Sequence, residues 1–171
     1  MTGAKKAFFL DRDGVINVDH GYVSKIEDFQ FVDGLFPVLR ALAAKGYALI
    51  VVTNQSGIGR GYYTEEDFQR VTRWMQQCLA DEKIELAGVY SCPHSPESDC
   101  DCRKPAPGMF LQAIREHGID PENSWMIGDK PSDMTAAAAA GIRNRVLIGG
   151  AVSGHSTHTV SQLSELLDLP V

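Results

Sequence analysis

The chain has 171 residues, of which 44% are hydrophobic and 22% charged, and its formal net charge is −6. This length suits one packed domain, residues 1–171, and is short for two domains that each bury a core. The composition excludes a disordered or fibrous chain, and the negative balance lacks the positive field that a nucleic-acid backbone requires.

No apolar run reaches the roughly 18 to 20 residues that span a bilayer. Lys5 and Lys6 precede the apolar Ala7-Phe8-Phe9-Leu10, but Asp11 ends that run too early for the core of a signal peptide. The expectation is a cytoplasmic protein, read as a monomer, with neither nucleic acid nor membrane as partner. Its four cysteines then sit in a reducing compartment, where clustered thiols bind metal or react more often than they pair.

In chain order, short β-prone runs fall at Ala7–Leu10, Tyr47–Val52, Val89–Tyr90, Trp125–Ile127 and Val146–Ile148, with helix-length segments between several of them. This alternation predicts an α/β fold, a Rossmann-like three-layer sandwich around a mostly parallel sheet. Thr64 and Asp67 have capping-box spacing, and Phe68, Val71, Met75 and Leu79 follow with helical period, so a helix is expected to about Asp81. Cys78 falls on or beside its core face and reads as a buried small hydrophobe. Pro107 and Gly118 bracket a second helix, with Phe110, Ala113 and Ile114 on one side and His117 near its end; Pro131 and Gly141 bracket a third. His155 and His158 lie in a Ser/Thr/Gly-rich stretch and read as a solvated loop.

Polar residues follow three of the apolar strands: Asp11, then Thr53-Asn54, then Gly128-Asp129. Loops at the carboxyl ends of parallel strands converge on one crevice. Asp11 and Asp13 set two carboxylates where a buried strand becomes a turn, which is costly unless a hard dication such as Mg²⁺ neutralises them. One carboxylate can attack phosphorus while the other moves protons. Thr53 and Asn54 offer a hydroxyl and an amide, the loop with Ser56, Gly57, Gly59 and Gly61 offers backbone N–H groups, and Arg103, Lys104 and Lys130 offer cations. Together these are the parts of a phosphoryl-transfer site.

Cys92, His94, Cys100 and Cys102 supply three thiols and an imidazole within eleven residues. Three Cys and one His close a tetrahedral shell and leave no position for water, so the expected ion is a structural Zn²⁺. Arg103 and Lys104 follow Cys102 directly, so clamping loop 92–102 would fix two cations needed at a phosphate.

Asp11-Arg12-Asp13-Gly14, Thr53-Asn54, Lys104-Pro105 and Gly128-Asp129 with Asp133 resemble the four ordered motifs of the haloacid dehalogenase-like phosphatase superfamily, over roughly residues 7 to 150. The resemblance implies a Mg²⁺-dependent enzyme with Asp11 as nucleophile, Asp13 as general acid and base, and Thr53 and Lys104 as phosphoryl stabilisers. It also implies Asp11, the Asp13 backbone carbonyl and Asp129 as Mg²⁺ ligands, with Asp133 supporting them. No insertion is large enough for a cap domain.

The Cys-x-His and Cys-x-Cys-Arg-Lys-Pro pattern is similar to two branches of that superfamily, the heptose bisphosphate phosphatases and the histidinol-phosphate phosphatases. Residues 17–23 and 53–61 look like the heptose branch, which implies a small phosphorylated sugar as substrate. Asp19, His20, Gly21, Tyr22, Asn54, Gln55 and Ser56 would then contact it, and Arg103 and Lys130 would read its remaining anionic part. Only five residues separate His94 from Cys100, and this compact loop is also seen in the histidinol branch, which stays as the alternative. A zinc-stabilised module that only binds phosphorylated ligands is the non-enzymatic reading, and intact Asp11 and Asp13 argue against it.

Overall fold

A computed structural model describes residues 3–171. Six strands, β1 (Ala7–Leu10), β2 (Ala48–Asn54), β3 (Gly88–Cys92), β4 (Trp125–Gly128), β5 (Asn144–Ile148) and β6 (His158–Val160), form one sheet in the order β3-β2-β1-β4-β5-β6. Every neighbouring pair is parallel. The helices are α1 (Leu35–Ala44), α2 (Ser56–Gly59), α3 (Glu65–Asp81), α4 (Gly108–His117) and α5 (Pro131–Ala139).

β1 is apolar throughout because both of its faces are covered. Phe8 and Leu10 enter one hydrophobic cluster with α1, α3 and the short turn Leu163–Asp168, whereas Ala7 and Phe9 enter another with α4 and α5. The sheet thus separates two helical layers, as the alternation of runs predicts.

The helix bounds follow their punctuation. Thr64 Oγ1 accepts from the Asp67 amide at 3.1 Å while the Asp67 carboxylate accepts from the Thr64 amide at 2.9 Å, the reciprocal capping box expected of this spacing. Phe68, Val71, Met75 and Leu79 are all buried. Pro107 and Gly118 flank α4, with Gly118 in the left-handed conformation at φ 64°.

Four features differ from the expectations. Residues 35–44 form α1, burying Leu35, Val38, Leu39 and Leu42 at helical spacing; Pro37 is tolerated because a first-turn N–H has no intrahelical partner. β2 continues through Thr53 and Asn54, which pair with Ser91 and Cys92, so these are strand residues rather than loop residues. His158 begins β6 and stacks near Trp125 with ring centroids 5.3 Å apart, while His155 stays in the exposed loop before it. Cys78 is half-buried rather than buried.

Thr64→Ala should cost about 1 kcal/mol and lower Tm by about 2–4 °C in thermal unfolding, without changing turnover, because the cap lies on the surface.

Candidate active site

Asp11 stands one residue beyond β1, and its amide bonds the Ile127 carbonyl of β4 at 3.1 Å, so the backbone fixes its position between two strands. Lys104 Nζ reaches it from another loop. That ammonium donates to Asp11 Oδ1 at 3.0 Å, to the Val52 carbonyl at 2.9 Å and to Asp133 Oδ1 at 2.6 Å. Lys104 and Asp133 are almost wholly buried.

Asn54 holds Lys104 in place. Its side-chain amide accepts from the Lys104 N–H at 3.0 Å and donates to the Lys104 carbonyl at 3.2 Å, just before the cis Lys104–Pro105 bond. Both polar atoms thus hold the Lys104 backbone, which leaves one Nδ2–H on a residue that lines the cavity.

Asp13 is gripped from two sides. Arg12 Nη2 at 2.9 Å and Asn17 Nδ2 at 3.0 Å donate to its Oδ1, while Gln55 Nε2 donates to its Oδ2 at 3.2 Å. Gly14 follows with φ 92°, and a Cβ there would lie 2.2 Å from Asp129 Oδ2. Glycine is required here by both the left-handed backbone and the proximity of the acid.

Asp11, Asp13, Asp19, Gly21, Tyr22, Asn54, Gln55, Ser56, Arg103, Lys104 and Lys130 line one cavity of about 310 Å³. The residues predicted for the carboxylate and phosphate site thus converge, with three exceptions, of which Asp129 lies off the cavity wall with its carboxylate still within 4.8 Å of those of Asp11 and Asp133. His20 is turned to an exposed contact with Gln30, 3.1 Å from its Oε1. Thr53 is fully buried behind the cavity, its hydroxyl accepting from Gln55 Nε2 at 2.9 Å and donating to the Asn54 carbonyl at 3.4 Å. Lys130 stands half-exposed at the rim, 3.6 Å from Asp19 and 3.8 Å from Asp129.

The carboxylates suit a hard cation. Oxygens of Asp11, Asp129 and Asp133 lie within 4.8 Å of one another, and Asp129 Oδ1 is buried with no hydrogen-bond partner. Burial, then the Asp133 charge, drive the Asp11 carboxyl well above its ordinary pKa against the pull of Lys104. Burial likewise raises Asp129. Burial alone would lower Lys104, but Asp11 and Asp133 outweigh it and raise it. One buried ammonium does not balance this cluster; a dication would.

The second ligand cluster joins the end of β3 to the start of α4. Donor atoms of Cys92, His94, Cys100 and Cys102 all lie within 4.8 Å of one another. His94 Nδ1 is 3.3 Å from both Cys92 Sγ and Cys102 Sγ, and Cys100 Sγ is 3.7 Å from Cys92 Sγ. Tetrahedral zinc with ordinary bond lengths separates two sulfurs by about 3.8 Å and sulfur from nitrogen by about 3.5 Å. Cys92 and Cys102, with Cα atoms 5.6 Å apart, are also near enough to pair as a disulfide, but that leaves the convergence of the other two donors without a purpose. Three thiols and an imidazole are the donor types of a closed zinc site, which this cluster could hold.

Two side chains beside the site were not singled out by sequence reasoning. Arg12 is almost fully buried, bonded to Asp13 and, at 2.8 Å, to the Val23 carbonyl, with Nε and Nη1 unpartnered. Tyr63 is buried and donates to Gln55 Oε1. An arginine between two aspartates was a usable signal; the Tyr63 contact crosses a loop and leaves no sequence pattern.

A family profile described as haloacid dehalogenase-like hydrolase matches residues 4–141. The chain is 55% identical over 150 residues to D-glycero-beta-D-manno-heptose-1,7-bisphosphate 7-phosphatase of Pasteurella multocida, covering 84% of this chain and 82% of that protein. It is 49% identical to the protein of the same name from Haemophilus ducreyi, covering 96% of each. Among solved structures, D,D-heptose 1,7-bisphosphate phosphatase from B. bronchiseptica, complexed with magnesium and phosphate, superposes with a TM-score of 0.85 at 28% identity, over 95% of this chain and 98% of that one.

Two predictions follow from the clusters. Since Asp11 and Asp129 are raised relative to the unfolded chain, their protons stabilise the metal-free fold at acid pH, and this contribution is lost as pH rises through the raised values. Magnesium should therefore increase Tm, the gain should grow as pH rises above the ordinary carboxylate range, and Asp129→Asn should shrink it while stabilising the metal-free protein. For the thiols, the unfolded protein should titrate four free thiols and release one zinc; two thiols and no zinc would mean a disulfide.

Proposed function

This chain belongs to the haloacid dehalogenase-like hydrolase family, and we propose that it hydrolyses the 7-phosphate of D-glycero-β-D-manno-heptose 1,7-bisphosphate through an aspartyl-phosphate on Asp11. The observation that carries the reading is the pairing of Asp11, held by Lys104, with Asp13, held by three donors, in one polar cavity. The substrate follows from relatives whose names specify this phosphate and the beta anomer. Cytoplasmic heptose-precursor synthesis for lipopolysaccharide is the setting that fits; no helix among the described residues is long and apolar enough to cross a membrane.

Asp11 attacks phosphorus while Asp13 gives a proton to the departing sugar oxygen, and Asp13 then takes a proton from the water that cleaves the acyl phosphate. Lys104 keeps Asp11 oriented and offers positive charge to the transferring group. Asp11, Asp129 and the Asp13 carbonyl would hold Mg²⁺, with Asp133 and Lys104 fixing them from behind; when bound, the ion neutralises charge on the phosphoryl oxygens.

Arg103 lines the cavity with a buried, unpartnered Nη1, which suits an anionic oxygen. With Lys130 at the rim it would read the 1-phosphate, while Asp19, Gly21, Tyr22 and Ser56 meet the sugar hydroxyls. The Cys92-His94-Cys100-Cys102 site would hold structural zinc and so fix the chain that delivers Arg103 and Lys104.

Phosphate release should be measured with magnesium on the β-heptose bisphosphate and on histidinol phosphate side by side. The heptose substrate should win in kcat/KM by at least about a hundredfold, and Asp11→Asn should remain folded while losing turnover by at least about 10⁴-fold, the scale of a lost nucleophile. A preference for histidinol phosphate would overturn the substrate, and a turning-over Asp11→Asn enzyme would overturn the mechanism.

A further inference from the structure

We propose that Tyr63 and Gln55 form a buried relay that aims the carboxylate of Asp13, making both positioning residues for proton transfer rather than substrate contacts. The inference rests on the reading of Asp13 as general acid and base. Gln55 is 3% exposed and Tyr63 8%. The Tyr63 hydroxyl donates to Gln55 Oε1, and the opposite end of the same amide, Nε2, donates to Asp13 Oδ2 at 3.2 Å and to Thr53 Oγ1 at 2.9 Å.

A side-chain amide has one accepting and one donating end, and nothing in its shape tells them apart. The ionised Asp13 carboxylate, which can only accept, does so here. A flipped amide would set two oxygens against each other and leave Asp13 Oδ2 without this donor, and the Tyr63 hydroxyl, by donating to Oε1, pins the amide with its NH₂ group toward Asp13. Burial pushes the Tyr63 phenol up to about 12, so it keeps the proton it donates.

A second observation places the tyrosine deliberately. A Cβ on Gly57 would lie 2.1 Å from Tyr63 Cε1 and 3.0 Å from Tyr22 Cδ1. The missing side chain at position 57 is the space the Tyr63 ring occupies. This gives Gly57 a use other than an approach to an oxyanion.

The other oxygen of Asp13 is held independently by Arg12 and Asn17. Loss of the relay therefore leaves the carboxylate attached on one side and free to swing on the other. A displacement of this kind, about 1 Å, can cost as much as 10²-fold in rate.

Tyr63→Phe keeps the ring packed on Gly57, and Gln55→Met keeps the volume while removing the donor. Each should lower kcat/KM for the heptose bisphosphate by about 10- to 100-fold, through kcat with KM nearly unchanged, and the double variant should lose no more than the worse single one. With p-nitrophenyl phosphate, whose leaving group departs without a proton, kcat/KM should change by no more than about twofold, because the ratio reports steps only through phosphoryl transfer to Asp11.

Equal losses on both substrates, or a loss carried by KM, would overturn the relay in favour of a packing or substrate-binding role. Unchanged kinetics in both variants, beside an Asp13→Asn enzyme that has lost the sugar phosphate but not the aryl phosphate, would also overturn it while leaving the reading of Asp13 intact. Should Asp13→Asn itself keep full kcat/KM on the sugar phosphate, the underlying reading falls and the relay with it.

Discussion

Lys104 has three protons to donate, and all three are committed inside the protein, to Asp11, Asp133 and the carbonyl of Val52. A buried ammonium with fewer partners would be prohibitively expensive. The constraint runs outward from there. The end of β2 must supply a carbonyl, the first turn of α5 must supply Asp133, and the segment carrying Lys104 must arrive from another loop. Asn54 ties that segment's backbone to the end of β2, and the four Cys/His donors converge just upstream.

The sheet order puts these pieces within reach. β1 lies between β2 and β4, so the chain leaves β1 toward one edge and β4 toward the other, which opens a crevice at their carboxyl ends. Asp11 occupies that crevice, with Thr53 and Asn54 on one neighbouring strand and Asp129 just beyond the other. The acids therefore repel one another by design of the topology. Their raised proton affinities express a site built around more positive charge than Lys104 alone provides.

Much of this was legible in the sequence because it depends on short-range chemistry. Apolar runs buried on two faces mark β1 and β4, the Thr64–Asp67 pair marks the start of α3, and acids after strands mark the crevice. Four metal-type donors in one short loop identify their own cluster. Less legible were features decided by partners far along the chain. α1 escaped because Pro37 interrupts its apolar pattern, although a first-turn proline costs little. β6 is only three residues long and owes its place to the edge of β5. His20 sits among cavity-lining neighbours in sequence, yet its exposed ring turns to Gln30.

The same distinction separates residues that meet a ligand from residues that hold others still. Asn54, Gln55 and Thr53 look alike in the sequence, three small polar groups after an apolar strand. In the fold their hydrogen bonds differ: Asn54 is spent on the Lys104 backbone, Gln55 bridges Tyr63 to Asp13, and Thr53 faces Gln55. A polar side chain whose donors and acceptors are already satisfied by buried protein groups has little left to offer a substrate without breaking what it supports. Groups that still have unpartnered or water-facing atoms beside the cavity are Arg103, Lys130, Asp19 and Tyr22. Buried hydrogen bonds thus hold the floor under Asp11 and Asp13, while the rim of the same cavity keeps its polar atoms open.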